Sequence, residues 1–147
     1  MAKKQISKSL SEHGVIALDT CVLIYYLEGH PVFNSATEAI ITGVVRGLNQ
    51  ATVSTMALLE LQVGPYAKGL SDMAEEYYDM LGSLPNFHWI PLTYAIADRA
   101  ARLRAEHYIE TPDAVHLATA MDSGATLFVT SDRDLPEIEQ LEYLLLR

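Results

Sequence analysis

Four acidic residues stand where chemistry is possible: Asp19, Glu60, Asp113 and Asp132. Asp19 closes the apolar run VIALD, and Glu60 interrupts ALLELQV. Asp113 opens TPDAVHLATA, and Asp132 ends TLFVTSD. A carboxylate in apolar surroundings is costly unless something pairs with it, and a divalent cation is the one partner that would satisfy all four together. Each acid also has a quieter role open to it. Asp19 suits the N-cap of a following helix, Asp113 suits the positive end of a helix dipole, and Asp132 sits in the turn-like Ser-Asp-Arg-Asp. Glu60 is harder to explain away, since Leu58, Leu59, Leu61 and Val63 crowd it, although Glu60 and Gln62 can share one edge. These separate explanations must coincide at one end of one sheet, whereas a hard metal site has a single cause. Mg²⁺ takes oxygen ligands and retains several waters, which fits carboxylates around an open site. Zinc does not fit, because the five histidines are scattered and Cys21 is the only cysteine.

These residues need elements to bring them together. Short apolar runs predict strands over Val15–Leu18, Ala51–Val53, Phe87–Ile90, Thr126–Val129 and Leu141–Leu145. Helices are expected over Val22–Leu27, Ala36–Leu48 and Met56–Val63, the last stopped or kinked at Gly64 and Pro65. Further helices are expected over Asp72–Leu81, Tyr94–His107 and Thr111–Ser123. In the fifth, Ile96, Ala100, Leu103 and His107 form the apolar stripe, opposite a solvated face of Asp98, Arg102 and Glu106. The last takes Thr111 as N-cap and Pro112 at the first helical position, and is apolar nearly all round. Strands alternating with helices imply a three-layer α/β/α sandwich with a mostly parallel central sheet. Such sheets bind ligands outside the carboxyl ends of their strands, where Asp19 and Asp132 fall.

A chain of 147 residues is long enough for one domain with a real core. Residues 1–13 read as a polar lead-in and 14–147 as the domain, with no apolar core in the lead-in to suggest a secretory signal. No apolar stretch reaches the roughly 18 residues of a membrane span. A lone cysteine excludes an internal disulfide and fits a cytoplasmic location. The net charge of −9 argues against a passive nucleic-acid binder, which needs a basic footprint. An enzyme that meets nucleic acid through bound cations escapes that objection locally.

The segments LDTCVLIYYLEG, VSTMALLELQVGPY, TPDAVHLATA and FVTSDRDL, in this order and spacing, resemble the PIN-domain family, and within it the VapC-type toxin ribonucleases. The resemblance runs from about Val15 to the C-terminus. It implies an endoribonuclease dependent on Mg²⁺ or Mn²⁺, with Asp19, Glu60, Asp113 and Asp132 as catalytic metal ligands. It further implies an RNA substrate, a cognate antitoxin and a homodimer. Two positions depart from the family pattern: Cys21 stands where Asn or Ser is frequent, and Ser131 where Asn is frequent. Neither belongs to the quartet.

Other residues keep two readings. His116 is either a general base or a hydrogen-bonded core histidine. Cys21 is either a thiol nucleophile or a small buried residue. Thr130 and Ser131 either hold a ligand carboxylate or a phosphate, or form a turn, and Asp134 either assists Asp132 or caps that turn. An aspartyl-nucleophile phosphatase is one alternative function, weakened because Cys21 occupies the place of its second acid. A non-catalytic PIN-like binding module is the other, weakened because all four acids are present.

Overall fold

Short runs of β-branched and aliphatic residues are stable as strands when helices cover both faces. The computed structural model describes residues 3–147. Its strands are β1 (Val15–Leu18), β2 (Gln50–Ser54), β3 (Phe87–Ile90), β4 (Leu127–Thr130) and β5 (Glu142–Leu145). They form one sheet in the order β3-β2-β1-β4-β5. Every neighbouring pair is parallel. The helices are α1 (Lys3–Ser11), α2 (Thr20–Glu28), α3 (Asn34–Val45), α4 (Thr55–Ala67), α5 (Ser71–Ser83), α6 (Tyr94–His107) and α7 (Thr111–Asp122).

Alternation along the strands divides the core. Ile16, Leu18, Leu127 and Val129 join a cluster with residues of α1 to α5. Ala17 and Phe128, on the opposite face, pack with Ile96, Ala100 and Leu103 of α6 and with α7. The layers are therefore helix, sheet, helix, as expected. Connections leave β1 toward β2 and β3 on one side and return to β4 and β5 on the other. The crevice between the carboxyl ends of β1 and β4 is thus the topological switch point.

Four local features differ from the sequence expectation. The polar lead-in contains α1, which anchors through Ile6 and Leu10, one turn apart and both buried. Its end is tied down by Asn49, whose amide donates to the carbonyls of Leu10 at 2.8 Å and His13 at 2.5 Å. Two apolar residues among charged ones give too little periodicity to announce a helix this short. Helix α4 runs past Gly64 and Pro65 to Ala67. Proline forfeits only one backbone donor, and the last turn is closed by Lys68 N–H on Gly64 O and Leu70 N–H on Pro65 O. The N-cap of α7 is Glu110, with no side-chain cap bond, so Thr111 is the first helical residue. Finally, β4 lies one residue later than expected, which brings Thr130 into the sheet. Ala114 to Ala120 are all buried, as the all-round apolar character of α7 requires.

Candidate active site

Asp19 leaves β1 in extended conformation and caps α2, with Oδ1 accepting from Thr20 N–H at 2.8 Å. Its Oδ2 accepts from the hydroxyl of Thr130 at 2.7 Å. Thr130 ends β4, is fully buried, and receives the Asp132 N–H on the same oxygen at 3.0 Å. Asp132 in turn accepts at Oδ1 from Asp134 N–H at 2.8 Å. On the other side, the hydroxyl of Thr20 donates to Glu60 Oε1 at 2.8 Å. His116 Nε2 lies 2.6 Å from that oxygen and 3.0 Å from Thr20 Oγ1. One hydrogen-bonded belt therefore runs from the Asp132 backbone through Thr130, Asp19, Thr20 and Glu60 to His116.

Asp113, in the first turn of α7, stands apart from the belt and accepts no hydrogen bond among the described residues. Burial, then the charges of Asp19 and Asp132, with Glu60 adding, push its carboxyl above the usual range. Glu60 shows the opposite shift. The His116 hydrogen bond holds its pKa below the ordinary value, with Thr20 assisting, and this outweighs burial. All four sequence-predicted acids thus act on one neighbourhood at the carboxyl edge of the sheet, each half-buried.

The remaining candidates separate. Thr130 holds a carboxylate, and the Ser131 hydroxyl meets Tyr25 Oη at 3.1 Å. Asp134 takes part through its backbone N–H. The Cys21 thiol is pushed up by burial and then by Asp19, which disfavours the nucleophilic thiolate. His116 is a core histidine, 4 % exposed, whose ring reaches a site carboxylate. Thr20 was not legible as a site residue. Its only signal is a hydroxyl directly after Asp19, one residue into a helix whose other early positions are apolar.

The chemistry of the donor set fits a hard divalent cation. Every acid offers oxygen, and the repulsion that adds to burial in raising Asp113 is what a cation would relieve. Among the described residues no three His, Cys, Asp or Glu side chains converge closely enough to ligate one ion directly.

The PIN-domain model matches residues 16–141. The chain belongs to the PIN-domain family. As a PIN domain it is structurally similar to a chain of a toxin–antitoxin complex from Klebsiella pneumoniae, with TM-score 0.66 and 25 % identity, covering 86 % of this chain and 95 % of that one. It is also similar to VapBC2 from Rickettsia felis bound to a fragment of its promoter DNA, with TM-score 0.73 and 19 % identity over 90 % and 99 % of the two chains. DNA-bound VapBC from Salmonella typhimurium gives TM-score 0.66 and 18 % identity over 90 % and 98 %. The last two likenesses are of fold alone. No curated protein matches the chain in sequence. Among the described residues of this PIN domain, no helix is long and apolar enough to cross a membrane.

Proposed function

We propose that the protein is a metal-dependent endoribonuclease, the toxin of a toxin–antitoxin pair, acting through Asp19, Glu60, Asp113 and Asp132. The observation that carries the reading is the meeting of the acids beside the switch point, where one belt of hydrogen bonds links Asp132, Asp19 and Glu60 next to Asp113. Burial, then the charges of Asp19 and Asp132, raise Asp113, and carboxyls perturbed in this way cluster at functional sites. Membership of the PIN family argues against the aspartyl-phosphatase alternative. The toxin assignment is supported by membership of the PIN family and the likeness to the chain of the Klebsiella pneumoniae toxin–antitoxin complex, which also argues for a cognate antitoxin. A homodimer in a cytoplasmic setting completes the proposal.

The residues divide the work. Asp19 and Asp113 are the direct ligands of Mg²⁺ or Mn²⁺, with Glu60 and Asp132 completing the set directly or through water. A divalent cation held there supplies the positive charge that acidifies an attacking water and offsets charge developing on the phosphate. Thr130 and the Thr20 N–H hold one oxygen each of Asp19, so that carboxylate is oriented before substrate arrives. Asp132 is fixed at the end of β4 by the Asp134 N–H. The cation would also bear on the charge objection: in a chain of net charge −9, a divalent ion held among the acids would offset their local charge and give a phosphate a cation to approach.

The test is cleavage of a total RNA pool by purified protein freed of any antitoxin, with cut sites mapped. Cleavage is expected with Mg²⁺ or Mn²⁺, and EDTA or Asp113→Asn should abolish it. Cutting that persists without metal would overturn the mechanism.

A further inference from the structure

His116 projects from the buried stretch of α7, three residues after Asp113, and reaches Glu60 on a different helix. The hydrogen positions follow from the partners. The Thr20 hydroxyl spends its only hydrogen on Glu60 Oε1, so toward His116 it offers lone pairs alone. Glu60 Oε1, a carboxylate oxygen that already takes the Thr20 hydrogen, is also an acceptor. Two acceptors face Nε2, at 2.6 Å and 3.0 Å, so Nε2 must carry a hydrogen. The other ring nitrogen, Nδ1, is buried and has no hydrogen-bond partner. Every polar contact of this ring is therefore made through Nε2, the shortest to Glu60, with Thr20 next and Asp19 Oδ1 farther off at 4.0 Å.

The shortest of these contacts falls on a single oxygen of Glu60. Both the Thr20 hydroxyl and His116 Nε2 meet Oε1, and no hydrogen bond from the described residues reaches Oε2. A carboxylate on a flexible side chain, gripped at one oxygen by donors from two different helices, loses its rotation and presents the other oxygen in a set direction. Asp19, by contrast, is bonded at both of its oxygens. We propose that His116 is a positioning residue: with the Thr20 hydroxyl it pins Oε1 of Glu60 and leaves Oε2 as the oxygen offered to the divalent cation or its water. This rests on the metal-site reading above. His116 is no general base in this arrangement, because the nitrogen facing the site already carries hydrogen and the other faces none of the acids' oxygens.

The test compares Mn²⁺ binding by calorimetry for the full chain, His116→Leu and His116→Gln, with melting temperatures recorded for each. Glutamine places an amide N–H near the position of Nε2, whereas leucine keeps bulk without a donor. His116→Leu should weaken Mn²⁺ about 10–100-fold, the usual cost of losing a ligand's hydrogen-bonding partner, and His116→Gln should return affinity to near the wild-type value. Equal affinity in wild type and His116→Leu overturns the proposal, as does His116→Gln binding as weakly as His116→Leu. If wild type binds no Mn²⁺, the metal-site reading itself falls and this one with it, an outcome distinct from the previous two. Should His116→Leu fail to fold, the wild-type ring nitrogens, read by ¹⁵N NMR, decide together with His116→Gln. Hydrogen on Nε2 and retained Mn²⁺ binding support the proposal, and hydrogen on Nδ1 alone overturns it.

Discussion

Two buried histidines sit at opposite ends of the sheet, and each meets one threonine hydroxyl and one glutamate. At the amino edge, His13 places Nδ1 2.8 Å from Thr126 Oγ1 and Nε2 3.1 Å from Glu142 Oε2. At the carboxyl edge, His116 reaches both Thr20 and Glu60 through Nε2 and leaves Nδ1 without a partner. His13 satisfies both nitrogens with groups near solvent; its glutamate is 73 % exposed, against 32 % for Glu60. The first arrangement looks inward to its own hydrogen bonds, fastening the segment after α1 to the starts of β4 and β5. The second accepts an unpaired buried nitrogen, a cost of about 1–3 kcal/mol, to hold one carboxylate oxygen. The same three residue types thus serve as a structural pin at one edge and an orienting clamp at the other. What separates them is burial and the company of other acids.

The contrast is broken most completely at Asp113, which neither histidine's ring contacts. Asp113→Asn should abolish cleavage, yet make the metal-free protein more stable at neutral pH. The sign follows from its raised folded-state pKa: the folded protein takes up the proton more readily than the unfolded chain. Ionised Asp113 therefore penalises the fold above its raised value. The penalty shrinks as pH falls through that value and vanishes below the ordinary carboxylate value. Thermal melts in EDTA should show the variant ahead at pH 7 and level with wild type near pH 3, by well under about 1 kcal/mol after solvent screening. Glu60, with its lowered pKa, does the reverse. Its contribution is present above the ordinary glutamate value and is lost as pH falls through the lower folded value, so Glu60→Gln should destabilise at pH 7. A stabilising Glu60→Gln would mean that the clamp is not formed in solution.

At the other edge, His13→Leu should cost about 1 kcal/mol of stability, the net value of lost hydrogen bonds whose partners can turn to water. It should leave Mn²⁺ affinity and RNA cleavage unchanged, in contrast to His116→Leu. Loss of metal binding in His13→Leu would remove the distinction between the two edges.

Most of the sheet and all four acids were legible in the sequence, because continuous apolar runs and the acids that interrupt or end them are local signals. β1, β3 and α6 fall within the expected bounds. Asp19 and Asp132 could be placed because a strand order of this type puts strand ends together, whereas Glu60 and Asp113 come from helices α4 and α7. What joins the acids was not legible. Thr20, Thr130 and His116 act through contacts 40 to 111 residues apart in the chain, and a threonine after an aspartate looks the same whether or not its hydroxyl finds a glutamate. His116 was visible as a core histidine on an apolar helix, but its partner on α4 was not. Helix α1 escaped notice for a related reason: Ile6 and Leu10 become anchors only once the sheet supplies a surface.

The smallest effect expected is at Glu142. Glu142→Gln removes a charge from an exposed side chain whose contact with His13 lies open to water and salt, so its contribution is about 0–0.5 kcal/mol. The amide keeps an oxygen that can accept from the histidine, and the Thr126 contact is untouched. The same charge removal at Glu60 leaves a neutral oxygen for two donors in a half-buried setting, where hydrogen bonds to a charged group are worth about 1.5–3 kcal/mol against about 0.5–1.5 for neutral ones. Melting curves of the two glutamine variants at low and high salt measure that difference directly. Glu60→Gln should cost more at both, with little salt dependence, while the small cost of Glu142→Gln should disappear in high salt. Equal costs would show that the two carboxylates are held alike, and that exposure is not what divides the pin from the clamp.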